Sequence, residues 1–458
     1  VLLFCLTSPG CQTGLPQTRV RLDDEAVVYV YLQPFPREVE RLRVSVESLV
    51  AVRTDGVEFP LSVTLRDLDG RDLRRQRLVA TGFLPVGDYS GLVFRTKSAS
   101  LRGGDGDAPL QVAEAPTRLD VRFTARRGEG HVVSLALRGE SVEAGSRFIP
   151  TFSVFVPERP AAGVMGFVAN SGSNDVTVFD KKSFRVFEVI ATGRGPSAIA
   201  LDQRARRGYV ALAGDDGVEV IDILSGRILD RVRLTAGDEP VDLALTTDGR
   251  TLLSANRGSN TVAVIDPVSR FEVARIPVGN GPRSIVMEPT GRRAFVFNAL
   301  SNTISVIDVA GRAVIRSVAT DPGPRRGAFN RRGDRLYVIH EVASSVTVIN
   351  PTTLTVTGRF PIRSAMDAIK VDRNTDLVYL AASREFTVSV HDPVSFAPVD
   401  FIEAGAGVVQ MAVDAEDNTL YLVAAATNRV LVTDRIRKRV IAEIDVGDGP
   451  SSIGVAGE

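Results

Sequence analysis

The side chains best suited to nucleophilic, redox or metal chemistry are scarce in this sequence. Cysteine occurs only as Cys5 and Cys11. Everything after Cys11 therefore lacks a thiol nucleophile, a disulfide, iron–sulfur ligands and a C-x-x-C-H haem attachment. The three histidines, His131, His340 and His391, stand far apart in no H-x-x-x-H spacing and do not define a zinc site. No cofactor pattern takes their place, and none is expected. Tryptophan is absent, which removes the W-D signature of WD repeats and the Trp platforms of many sugar sites. Arginine and the carboxylates remain as the groups with which to bind.

The chain has 458 residues, too long for one ordinary domain of about 100–200 residues unless the fold is a repeat. Its 55 basic and 55 acidic side chains cancel, with 21 against 20 up to residue 160 and 34 against 35 after it. Neither part has the basic excess of a nucleic-acid binder, so no nucleic-acid partner is expected. No run approaches the roughly 18 apolar residues of a membrane span. At the start, Val1–Leu6 is apolar and Ser8-Pro9-Gly10-Cys11 follows. This resembles the end of a bacterial lipoprotein signal peptide, with Ser8 where Leu is usual and no basic stretch before it. The resemblance implies an exported protein of the periplasm or cell surface. It would meet the membrane only through a lipid on Cys11, with residues 1–19 as leader and tether. An ordinary secretory peptide cleaved nearby is the alternative.

Residues 20–158 read as a first, all-β domain. Strands are expected at Ala26–Leu32, Leu42–Val52, Val57–Leu65, Ser90–Thr96, Arg118–Ala125, His131–Leu137 and Arg147–Val156, with Asp55-Gly56 as a hairpin turn. Seven or eight short strands with turn signals point to an antiparallel β-sandwich. Leu84-Pro85-Val86-Gly87-Asp88-Tyr89 resembles an element of a domain of unknown function found in bacterial lipoproteins, which has no chemistry to carry over. His131 is read as a solvent-facing strand residue. Residues 159–163 read as a linker.

Residues 164–458 repeat one unit seven times. An Asp, once Asn, closes a β-rich run at Asp180, Asp222, Asp266, Asp308, Asn350, Asp392 and Asp434, at spacings of 42, 44, 42, 42, 42 and 42. A second marker, usually Gly-Pro, recurs at Pro196, Pro240, Pro282, Pro324, Met366, Val408 and Pro450, with the same two-residue insertion. Four β-runs per unit at this period mark a propeller blade. The series opens on a second strand and ends on an innermost one. The C-terminal strand is therefore expected to complete the first blade of a seven-bladed β-propeller.

Segments such as Asn256-Arg257-Gly258-Ser259-Asn260-Thr261-Val262-Ala263-Val264-Ile265-Asp266 and Ile276-Pro277-Val278-Gly279-Asn280-Gly281-Pro282 resemble the YVTN family of seven-bladed propellers. The resemblance covers 163–458 and implies the fold. It implies no single activity, so function has to be argued from the site.

The recurrent residues read as structural. The third-strand Asp suits a turn cap, and Asn174, Asp216, Asn260, Asn302 and Asn428 share a column where left-handed backbone suits Asn. Binding is expected where the copies differ, at the mouth of the central channel. Arg283, Arg325 and Asp367 directly follow the Gly-Pro column, and Asp242 and Arg326 stand in the next one. These arginines could take a carboxylate or phosphate bidentately, or the charges could pair with one another around the rim. His340 replaces the Asn of its column and is expected at the same rim, whereas His391 reads as a core substitution. The expected function is an envelope binding or scaffold module, its partner an envelope protein or a small anionic ligand. The alternative is an exported lactonase-like hydrolase with a metal-bound water in the channel, recruiting Asp242, Asp367 and His340. A quinone-dependent dehydrogenase is less well supported, because its Trp docking pattern is missing.

Overall fold

The computed structural model describes residues 25–104, 106–143, 146–160, 164–405, 407–414 and 416–456. Cys11, with the leader and tether at 1–19, lies outside the described residues. The fold is all-β, an N-terminal sandwich-like sheet followed by a seven-bladed propeller.

Twelve strands between Glu25 and Phe155 join in one curled sheet that closes over its own core. The strand Glu25–Leu32 lies between Arg77–Pro85, paired antiparallel, and Gly130–Leu137, paired parallel. Ala26, Val28, Val30 and Leu32 face the core of this sheet, among Leu49, Leu92 and Phe94. The alternate residues Val27, Tyr29 and Tyr31 pack against propeller residues Phe179, Val186 and Val189. A strand covered on both faces needs no polar alternation, which accounts for its unbroken apolar run. Four strands lie outside the expected set, the short Asp67–Asp69 and Val142–Glu143 and the longer Arg77–Pro85 and Asp107–Val112, whose patterns Gly82 and Pro109 interrupt. The run expected over Arg147–Val156 is two strands, Arg147–Phe148 and Phe152–Phe155, with Pro150 between them. His131 does not face solvent. It lies against Phe123, and burial pushes its pKa down.

The propeller has seven four-stranded sheets. Blade one combines residues 165–191 with Pro450–Val455, and blades two to seven cover 196–233, 240–277, 282–319, 324–361, 368–403 and 410–445. The repeat markers hold the blades together locally. The turn carboxylates accept backbone N–H groups two or three residues on, as Asp222 does from Leu224 (2.8 Å) and Ser225 (2.9 Å). In this column Asn174, Asp216, Asn260, Asn302 and Asn428 are left-handed, φ +47° to +58°. Each side chain there also reaches the next crossover: Asn174 Oδ1 accepts from Gly195 N at 2.8 Å and Asn302 Oδ1 from Gly323 N at 2.9 Å. One side chain thus caps its own turn and fixes the spacing to the next blade.

The ring closes as the repeats require. Pro450–Val455 pairs antiparallel with Met165–Asn170, Val168 opposite Ile453. Lys181 of blade one is buried against Asp414 of blade seven and donates a further hydrogen bond to the Ala456 carbonyl. At the equivalent position Arg435 and Asp372 form a second buried ion pair, 2.6 Å, between blades seven and six. Pairs this dry persist only when both partners are present.

The N-terminal sheet grips this same seam. Arg75 Nη1 and Arg77 Nε reach Asp445 of blade seven at 2.9 and 2.8 Å, and Leu78 N donates to its Oδ2 at 3.0 Å. Gln76 makes a two-way bond with the Val186 backbone of blade one (3.1 and 2.7 Å). Gly130 lies so close that a Cβ there would run into the Val189 carbonyl.

Candidate functional site

In each blade the innermost strand descends from the crossover loops toward the loops joining first and second strands. Adjacent residues on it therefore sit at different depths and point to different sides. The sequence places Arg325 and Arg326 side by side, and the structure separates their roles.

Arg283, Arg325 and Asp367 lie at the crossover face in a network centred on Glu341. Arg283 Nε stands 3.1 Å from Glu341 Oε2 and Arg325 Nη1 3.5 Å from the same oxygen. Arg325 Nη2 stands 3.2 Å from Asp367 Oδ1, and Asp367 also accepts Ser383 N at 2.6 Å. The two rim arginines are thus paired with carboxylates rather than open to an anion. Glu341 was not singled out from sequence, although it is the one acid in a column that elsewhere reads Ser171, Ala213, Arg257, Ala299, Ser383 and Ala425.

His340 does not face the rim. It is fully buried, with Nδ1 3.0 Å from the Ser345 carbonyl and Nε2 3.4 Å from Thr347 Oγ1. This is the work of Asn298 in its column, which donates to Ser305 Oγ at 2.9 Å. Burial lowers the His340 pKa, opposed by the Ser345 hydrogen bond and Asp321. His340→Asn is expected to change stability by less than about 1 kcal/mol at neutral pH. A histidine with a depressed folded pKa contributes stability above the unfolded value of about 6.5, lost as pH falls below it. The variant should therefore lose less stability than the parent between about pH 7.5 and about pH 5.5, as urea denaturation would measure. His391 is likewise internal, its Nδ1 2.9 Å from the Phe396 carbonyl and its ring stacked on Phe396.

Asp242 and Arg326 lie inside the channel, in one layer with Ser284, Gln410 and Ser452. This layer forms the inner end of a cavity of about 610 Å³ that reaches the opposite face, at Thr247, Pro289, Arg331 and Arg373. Burial pushes the Asp242 carboxyl up, while Arg326 and the N–H groups of Ile285 (3.1 Å) and Leu243 (3.0 Å) pull it down; the net shift is upward. Burial likewise lowers the Arg326 guanidinium, with Asp242 opposing. Arg326 Nη1 donates to Gln410 Oε1, and its Nε is buried without a partner. Asp242, Asp367 and His340 do not form one cluster, since each has its own partners in a different layer. Among the described residues no three His, Cys, Asp or Glu side chains converge as metal ligands.

Comparison with known proteins agrees with this architecture. Residues 159–324, the first four blades, match the family model of YNCE-like beta-propellers. A functionally unknown protein from Desulfotomaculum acetoxidans DSM 771 superimposes with a TM-score of 0.57 at 15% identity, over 64% of this chain and 98% of that one. A candidate 6-phosphogluconolactonase from Bacteroides fragilis NCTC 9343 does so with 0.54 at 15%, over 65% and 99%. The dihydro-heme d1 dehydrogenase NirN gives 0.52 at 14%, over 66% and 77%. No curated protein matches the chain. At such identities the likeness is one of fold. The chain is thus similar to YNCE-like propellers over its first four blades and carries the complete seven-bladed ring.

Proposed function

We propose that this protein is an exported binding module of the bacterial envelope, held there through Cys11. The crossover face of blades four to six would dock a partner protein through a segment that sets an acidic side chain beside apolar anchors. The observation that carries this reading is the column at the turn between second and third strands. Blades one to three have Gly172, Gly214 and Gly258 there, whereas blades four to six have Leu300, Val342 and Arg384. Leu300 and Val342 are 75% and 68% exposed, and nearby Phe386, in place of the column's Asn, is 66% exposed. Apolar tips held out on three adjacent blades are a cost that a docked partner would recover. The Arg283–Glu341–Arg325–Asp367 network on the same blades supplies a rigid polar floor. Arg363 and Arg384, exposed and in no ion pair among the described residues, favour an acidic partner. The N-terminal sheet occupies the seam of blades one and seven, across the ring, and leaves this sector open.

The test is cross-linking with mass spectrometry on protein purified from the envelope of its own cells. One stoichiometric partner should be recovered with links around residues 300, 342 and 386. Phe386→Glu with Val342→Glu should weaken recovery by on the order of 10- to 100-fold without lowering the melting temperature. A protein that emerges alone and monodisperse, or a partner captured equally well by the variant, would overturn the reading.

A further inference from the structure

The channel cavity lies away from the docking sector and has a chemistry of its own. Its inner end carries one guanidinium, Arg326, with Nη1 committed to Gln410 and Nε left without a partner. The Nε–Nη2 edge of an arginine is the edge that takes a carboxylate bidentately. Asp242 stands across the layer with both oxygens on backbone N–H groups, and it forms no direct ion pair with Arg326 among the described residues. Beyond this layer Met287, Phe329, Ile369, Met411 and Ile453 supply an apolar part of the wall, beside polar groups that include Glu288, Asn330 and Lys370. The mouth on the far face is set with the exposed Arg331 and Arg373.

We propose that the propeller channel binds a small amphipathic carboxylate, its headgroup on Arg326 and its hydrocarbon body along the Met287–Phe329–Ile369–Met411–Ile453 wall. A cavity of about 610 Å³ that sets these apolar side chains beside the Arg326 guanidinium, within a lining that also carries Ser284, Gln410, Ser452 and Lys370, has the size of a small-molecule site. A phosphate monoester fits less well. It would bring about two negative charges to an inner end that holds one guanidinium and faces Asp242. The Gln410 carboxamide fixes the guanidinium plane, so headgroup geometry as well as charge is selected. Chains ending in a second carboxylate at the mouth would gain from Arg331 and Arg373.

The experiment is titration calorimetry on the full chain with hexanoate, octanoate, suberate and inorganic phosphate. Octanoate and suberate should bind, hexanoate more weakly, and phosphate least. Arg326→Gln should weaken octanoate by on the order of 10- to 100-fold, the loss expected for a hydrogen bond to a charged group. Because a channel arginine can also support the ring, Ile369→Trp provides a second route: it fills the cavity, keeps Arg326, and should abolish binding while the melting curve stays cooperative. Phe386→Glu at the docking sector should leave the affinity unchanged. Equal binding by the parent and Arg326→Gln, preference for phosphate over octanoate, or no heat from any carboxylate with the folded parent would each overturn the proposal.

Discussion

A chain ending at Gly449 should show no cooperative unfolding of the propeller. The missing strand supplies the inner edge of blade one, where Met165–Asn170 is buried at every position and pairs with Pro450–Val455. Without it Ile453 and Val455 leave the core, at about 1.5–3 kcal/mol each, and a full ladder of backbone groups loses its partners. Lys181 also loses the Ala456 carbonyl beside Asp414, which leaves a buried ammonium short of an acceptor. These losses together rival the roughly 5–15 kcal/mol that stabilise a typical domain. Calorimetry and size-exclusion chromatography of the truncated protein provide the check. A sharp melt within a few degrees of the full chain would mean that blade one stands without its closing strand.

The second large effect is expected at Asp445. Burial pushes this carboxyl up, but Arg75, Arg77 and the Leu78 N–H overcome that and hold it below the usual carboxylate range. Asp445→Ala strands two part-buried arginines of the N-terminal sheet and should cost about 3 kcal/mol. The pH dependence follows from the depressed pKa. The carboxylate's contribution is complete above the unfolded value of about 3.9 and is lost as pH falls through the lower folded value. Urea denaturation at neutral pH and at about pH 3 should therefore show the parent losing stability that the variant never had. A cost below about 1 kcal/mol would assign the interface to its apolar contacts alone.

The propeller was legible because its markers do repeated local work. Asp222 and Asn174 serve a turn or a crossover that recurs in every blade, so the constraint reappears every 42 residues or so. The N-terminal sheet has no such period, and Arg77–Pro85 escaped because Gly82 and Pro85 interrupt it. The docking of that sheet on the seam left one trace, the unbroken run Ala26–Leu32. The site was readable by column but not by depth. A bulge between Pro324 and Arg326 puts Arg325 on the rim and Arg326 in the channel, a difference that neighbouring positions in a sequence do not show. His340 misled because the Asn it replaces is itself buried. Gln410 and Glu341 matter through partners on other blades, which spacing alone does not bring together.

The seam also imposes an order on how the molecule can be made. Ser451 bonds the Ala169 carbonyl across 282 residues of sequence. A chain presented from its N-terminus carries blade one with a bare inner edge until almost the last of those residues has arrived. The N-terminal sheet is complete well before that, ending at Phe155, and its Tyr29, Tyr31 and Val132 are the first surfaces available to Phe179 and Val189. The earliest part of the chain to fold can therefore cradle the unfinished blade until the last residues arrive and the clasp shuts.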